Sequence, residues 1–386
     1  LKKAGVLESM QSFREAYVIT SALYKRYPFS SKLRNTYLEQ VLASGRYFNK
    51  MQQTDSALSE FSKVLALSPA DSNALMYTIN ILNEKKAYDT ALTLIDRGRE
   101  HYPESEYFLL KKAVVLENKA SYLDAFKAAD STAKLFPSLK NREYADYLRS
   151  RTFKNQVGMQ FLYSVLDTGS QTSLQYLHYL SKGSIAARLN FAGRNTGTGL
   201  QMELESYYKH NPRYYSYANI GISIKIVFPQ WKLGYSLFHN FAKGWEAELG
   251  ARYLWFKQDQ SGIFSIVGSG AKYFGDFWAN LRYFLISSGN SSLYHAATLN
   301  IRQYLNDKTD YLSAAFGIGN SPDEFSRNFR LPANLGITTY SIGMGYAHTM
   351  QYRNTVSISG NWYNQQLTSG TFRNQYDIFF SFLRKF

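Results

Sequence analysis

Residues 244–255 read GWEAELGARYLW, and their polarity flips at every step. Trp245, Ala247, Leu249, Ala251, Tyr253 and Trp255 fall on one side; Glu246, Glu248, Gly250 and Arg252 fall on the other. Successive side chains of a β-strand point to opposite faces, so the stretch predicts a long strand with one apolar and one charged face. A soluble sandwich can alternate in the same way. Length argues for a membrane instead: soluble strands run about 5–6 residues, whereas a tilted membrane-crossing strand needs about 9–11.

The pattern continues on both sides. In 201–208, Gln201, Glu203 and Glu205 oppose Met202, Leu204 and Tyr208. In 278–285, Asn280 and Arg282 oppose Ala279, Leu281, Tyr283 and Leu285; in 298–305, Asn300 and Arg302 oppose Leu299 and Ile301. Very short turns fall at Lys182-Gly183, Lys243-Gly244, Gly275-Asp276 and Asn306-Asp307. Longer polar loops fall at 167–172, 193–198, 257–261, 287–292, 320–334 and 365–371. Short turns at one end and long loops at the other are the habit of outer-membrane barrels. The last stretch alternates too, with Tyr376, Ile378, Phe380, Phe382 and Phe386 on one face, and a strand ending in Phe386 resembles the terminal signal of such barrels. The reading is an antiparallel transmembrane β-barrel over 152–386 with about fourteen strands, an even number that returns the chain to its starting side. Twelve is the alternative, because Pro229 breaks the 214–241 region.

Before residue 150 the period is helical. Ala57 precedes Pro69 by twelve residues, Ala91 precedes Pro103 and Ala125 precedes Pro137 by the same interval, and successive members of each series lie 34 residues apart. Ala16 and Pro28 repeat the interval once more, but Pro28 and Pro69 are 41 residues apart. A small residue lets two helices approach, and a proline ends the second helix. A 34-residue period of this kind is the tetratricopeptide (TPR) pattern. About four repeats are expected over 1–150, the first irregular, with seven extra residues placed around Gly45 to Gln53. Such a solenoid binds a partner protein or peptide in its groove. The class is thus an α + β two-domain chain, a helical solenoid followed by a barrel.

Rolled into a barrel, the charged faces collect Arg188, Glu203, Glu205, Glu246, Glu248, Arg252, Lys272, Arg282, Arg302 and Asp377 in the lumen. Both signs are present. Paired across the interior they fill it; left apart they would line a polar conduit. The first reading is favoured, because a conduit for a charged polymer should show mostly one sign. His178, His239 and His348 fall on the lipid-facing register near strand ends, where amphipathic rings suit a membrane boundary. None has an assignable Ser or acid partner, so no catalytic residue, cofactor or metal ligand is assigned. The 320–334 segment, NSPDEFSRNFRLPAN, mixes acids, Arg327, Arg330 and two Phe. It is read as a lumen plug, an external contact or an ordered cap.

Composition narrows the function classes. The 386 residues include no Cys, which excludes disulfides and thiolate chemistry. There are 32 Tyr, a residue suited to the membrane–water boundary. The net charge of +15 raises nucleic acid as a partner, but the basic residues form no single run and no nucleic-acid motif is present. Membrane lipid, including lipopolysaccharide, and a glycan polymer are the better candidates. No apolar run is long enough for a transmembrane helix. The chain starts at Leu1 without a signal peptide, which reads as a mature or trimmed form.

The Ala/Pro ladder, the 244–255 strand, the loop opening Ser321-Pro322-Asp323 and the terminal Phe386 together resemble the YaiO-type outer-membrane barrels. That resemblance covers nearly the whole chain. It implies a Gram-negative outer membrane, a TPR module in the periplasm and no established reaction. A more distant resemblance is to TPR-plus-barrel exporters of poly-N-acetylglucosamine and cellulose. Those have much longer TPR regions and sixteen strands, and this chain departs on both counts. The function expected is a barrel anchor with a protein-binding module inside a surface-glycan or secretion assembly, with a conduit as the alternative and a lipid- or glycan-modifying enzyme less favoured.

Overall fold

The computed structural model describes residues 13–165, 169–194, 197–225, 227–257, 260–289, 292–305, 309–323, 335–368 and 370–386. The chain divides into two compact units, Leu1–Thr152 and Phe153–Phe386. Among the described residues the first unit holds eight helices: α1 Phe13–Arg26, α2 Ser31–Lys50, α3 Thr54–Leu67, α4 Ser72–Glu84, α5 Tyr88–His101, α6 Glu106–Asn118, α7 Tyr122–Leu135 and α8 Leu139–Thr152.

Local chemistry sets their ends. The Asp71 carboxylate accepts from the Ala74 N–H at 2.9 Å and starts α4, and the Ser30 hydroxyl does the same for Leu33 at the start of α2. At the turns inside each pair, Gln52, Lys86 and Ala120 adopt positive φ of 60°, 62° and 62°. The next N–H reaches five residues back, Ala87 to Leu82 and Ser121 to Leu116, which satisfies orphan carbonyls of the finished helix. Ala57, Ala91 and Ala125 are fully buried at the helix crossings. Pro69, Pro103 and Pro137 follow two residues after α3, α5 and α7. The side chain of Ala16 lies outside the described residues.

The irregular first interval has a different origin from the one expected. The segment Gly45 to Lys50 is helix, and α2 has 20 residues where α4 and α6 have 13. The seven extra residues are two helical turns, and at 3.6 residues per turn they leave the buried face nearly in phase.

The second unit is a closed antiparallel barrel of fourteen strands. They are β1 Asn155–Ser164, β2 Gly169–Leu180, β3 Gly183–Arg194, β4 Gly197–Lys209, β5 Tyr214–Ser223, β6 Trp231–Asn240, β7 Trp245–Phe256, β8 Ser261–Phe274, β9 Phe277–Ser287, β10 Leu293–Tyr304, β11 Tyr311–Ile318, β12 Thr339–Met350, β13 Asn354–Thr368 and β14 Thr371–Lys385. Each pairs with its sequence neighbours, and β1 closes the ring on β14, with Phe161 opposite Phe380. Phe386 joins the seam: it and Asn155 exchange two backbone hydrogen bonds of 3.0 and 2.9 Å. Closure leaves no strand edge unpaired, the condition for a sheet in lipid.

Pro229 lies in the connection between β5 and β6, so it costs no ladder bond and the twelve-strand alternative falls. Two of the expected long loops are tight instead. The strands on either side extend, leaving only 195–196 between β3 and β4 and 369–370 between β13 and β14. The long 319–338 connection stays. Its residues 324–334, with Arg327 and Arg330, and the Asn306-Asp307 turn lie outside the described residues.

Burial is inverted relative to a soluble sandwich. Met159, Phe161, Leu189, Leu204, Leu249, Met344, Ile358 and Ile378 are exposed, while Gln171, Ser173, Asn190, Gln201, Glu203, Glu248 and Asp377 are buried. An unbroken apolar outer surface around polar side chains is stable only against hydrocarbon. The second unit is an outer-membrane barrel. No helix among the described residues is long and apolar enough to cross a membrane.

Candidate functional site

The inward-facing side chains form three layers. The middle layer is an ion network. Glu203 of β4 has no exposed side-chain surface and faces Lys232 of β6 at 3.2 Å and Arg188 of β3 at 3.6 Å. The amide groups of Asn190 and Asn219 also donate to it, at 2.9 and 3.3 Å. Arg188 forks onto both oxygens of Glu205 at 3.0 and 3.2 Å. On the next wall Glu248 of β7, equally buried, accepts from Arg282 at 2.8 Å and Arg252 at 3.3 Å. The hydroxyls of Ser236 and Ser269 complete its shell. Asp323, from the opening of the 319–338 connection, takes the Arg252 fork at 2.8 and 3.2 Å and lies 3.6 Å from Arg282. Four cations thus meet four carboxylates in the middle of the strands. Their charges cancel, which is what permits such burial.

The second layer lies at the end where the longer connection enters. Leu254, Phe256, Ile263, Val267, Phe284, Ile286 and Ala296 occupy inward positions of β7 to β10 and form a buried apolar cluster, with Tyr294 and Leu335 against it. A smaller cluster joins Ala192 to Val227 and Phe228 of the β5–β6 connection. Gly199 makes room for it, since a Cβ there would come within 2.9 Å of Val227. Asn320 and Ser321 are buried beside Asp323. The first residues of the long connection therefore turn into the lumen. The third layer, at the short-turn end, is an open polar and aromatic cavity.

The residues expected in the lumen divide as follows. Arg188, Glu203, Glu205, Glu248, Arg252 and Arg282 join the network. Glu246 lies nearer the short turns and accepts from the Tyr215 hydroxyl at 2.8 Å. Arg302 stands apart among rings, with Trp278 at 5.0 Å and Tyr311 at 4.8 Å. Asp377 sits at the other end of the strands, where the Ser164 hydroxyl donates to it. Lys272 is a correction. It pairs with Trp245 on the outer face and holds its ammonium 4.6 Å from that indole ring. In β8 the inward face carries Ile263 and Val267, so polarity does not mark which face is inside. Lys272 reaches the boundary from the outside, as long cationic side chains do. The network also contains two groups not anticipated, Lys232 and Asp323.

The three histidines lie outside, with one correction. His348 has an acid neighbour, Asp310, at 3.1 Å, and it stacks on Tyr346. His178 meets Asn155 at 2.8 Å, and His239 packs between Tyr214 and Phe241. Among the described residues no group of acids and histidines could hold a metal ion.

The helical unit offers packing and hydrogen bonding. Tyr107 of α6 donates to the Met76 carbonyl and the Asn80 amide oxygen of α4, and burial pushes its hydroxyl up to about 12. Burial, and then its hydrogen bond to Glu117, raise Tyr144 as well. Lys111 is lowered by burial, against the pull of Glu84.

Residues 154–324 match the YaiO membrane beta barrel domain family. No curated protein matches the sequence. Among solved structures, MamA from Desulfovibrio magneticus RS-1 is 16% identical over 39% of this chain and 81% of its own, with TM-score 0.31. A tetratricopeptide repeat protein from Parabacteroides merdae ATCC 43184 is 14% identical over 39% of this chain and 57% of its own, with TM-score 0.33. A bacterial polysaccharide outer membrane secretin is 6% identical over 60% of this chain and 98% of its own, with TM-score 0.37.

Proposed function

We propose that this chain, whose residues 154–324 match the YaiO membrane beta barrel domain family, is a non-conducting outer-membrane anchor whose repeat module recruits a protein partner to an envelope assembly that handles surface glycan or secretion. One observation carries the reading: Asp323 enters the lumen and ties Arg252 and Arg282 into a network with no unbalanced charge. A polymer conduit needs a continuous bore lined mainly by one sign, and the apolar layer above the network works against that. The repeat module supplies what an anchor lacks. Buried Ala crossings and a 34-residue period stack its helix pairs into a surface of the kind that holds peptides. The module leads into β1 at the short-turn end, so the short turns face the periplasm in this reading and the module works there.

Detergent extraction of the tagged chain tests it. A partner in fixed ratio is expected, and it disappears when residues 31–135 are deleted from a chain whose barrel still folds. In planar bilayers the intact chain carries no current. A partner-free monomer under mild extraction argues against recruitment, and a stable open channel argues for the conduit.

A further inference from the structure

We infer that the cavity at the short-turn end of the lumen binds an anionic sugar, a hexuronate unit, beside the ion network. This goes beyond the anchor role and does not depend on what the repeat module recruits. The cavity encloses about 500 Å³, within the range of about 300–1,000 Å³ usual for small-ligand sites. Its position follows from the strands: Trp278 is the second residue of β9, Tyr311 the first of β11, Glu246 the second of β7, and Arg302 lies two residues from the end of β10. Arg282 is also in its lining, where it already meets Glu248 and Asp323. On that side the cavity borders the ion network, and a smaller cavity that shares Arg282, Asn300 and Asn361 with it continues along the wall to Phe284 and Ser321.

The lining chemistry selects the ligand. Tyr207 and Tyr215 supply aromatic surface that suits the C–H face of a pyranose, while Trp278 and Tyr311 hold Arg302. Asn300 and Asn361 add amides that both donate and accept, as sugar hydroxyls require. Neither makes a side-chain hydrogen bond among the described residues. The Trp278 indole N–H is buried and has no acceptor among the described residues.

Arg302 adds the preference for an anion. Arg188, Arg252, Arg282 and Lys232 all have carboxylate partners. Arg302 has none among the described residues, and the two rings hold it in place. Its planar fork is free for a bidentate carboxylate. Glu246, the acid in the lining, is engaged by Tyr215 and has a second oxygen for a hydroxyl. A simple anion would leave the rings and amides unused, and a neutral sugar would leave Arg302 unused.

Calorimetric titration of the full chain in detergent micelles tests this with digalacturonate, galactose and acetate as probes. Digalacturonate is expected to saturate at one per chain, with galactose weaker by at least about tenfold and acetate silent. Arg302→Gln should weaken digalacturonate by at least about tenfold. Arg302→Lys, which keeps the charge and loses the fork, should lose most of the binding, and it serves where the Gln variant does not fold. Trp278→Phe, which keeps a ring and removes the N–H, should weaken binding as well. Absence of binding by the folded parent, full binding by the Arg302 variants, or acetate competing as well as digalacturonate would each overturn the proposal.

Discussion

Glu248 is the residue on which the interior turns. Its carboxylate has no exposed surface, and it answers two arginines that would otherwise crowd each other. Breaking a buried pair from one side leaves an uncompensated charge and costs about 3–5 kcal/mol. Glu248→Gln should therefore lose roughly that much stability in urea titrations of the micelle-held barrel. Lys272→Ala, removing one outer contact to Trp245, should cost no more than about 1 kcal/mol. Equal losses at the two positions would contradict the assignment of inside and outside. The contrast also marks what the sequence could reveal. Glu248 was legible because it sits in an unbroken alternation from Trp245 to Trp255. Lys272 was not, because apolar Ile263 and Val267 share the inward face of its strand. Lys232 follows Trp231 directly after the Pro229 connection, where strand phase cannot be counted from a neighbour. Asp323 belongs to a connection, and no periodicity reports where a connection folds.

At the scale of elements, the helical ladder was legible because its markers repeat at fixed spacing. What it hid was conformation without a signature. Gln52, Lys86 and Ala120 take the left-handed turn that a glycine would advertise. The seven-residue excess of the first interval passes for a loop in sequence, yet it is two further turns of α2. Helix contact is close where α5 meets α6. A Cβ on Gly98 would lie 2.5 Å from the ring of Phe108, and Gly45 stands in the same relation to Phe61. Overpacking of this kind costs about 1–3 kcal/mol. Gly98→Ala should lower the helical unit's thermal midpoint, read by circular dichroism of the full chain, and adding Phe108→Leu should restore part of the loss. A Gly98→Ala chain that melts like the parent would show that the two helices are further apart than described.

At the scale of the whole molecule, the strand order and number followed from a two-residue period sustained over most of 152–386, and Tyr-rich strand ends fitted the boundary. The apolar layer inside the lumen did not follow. Alternation puts Leu254 on the same side as Glu246, Glu248 and Arg252, but YLWF at 253–256 has no polar member to show that the inward face turns apolar there. The central claim is that apolar side chains beyond residue 152 meet hydrocarbon while polar ones turn into a closed ring. Spin labels on single cysteines test this most directly, and a chain without native Cys makes them clean. With the protein in lipid bilayers, labels at Met159, Phe161 and Ile358 should be relaxed by dissolved oxygen and untouched by a water-soluble nickel chelate. Labels at Gln160 and Ser359 should not share that response. Strong relaxation by the chelate at Met159 and Phe161 would place the apolar face in water and contradict the account.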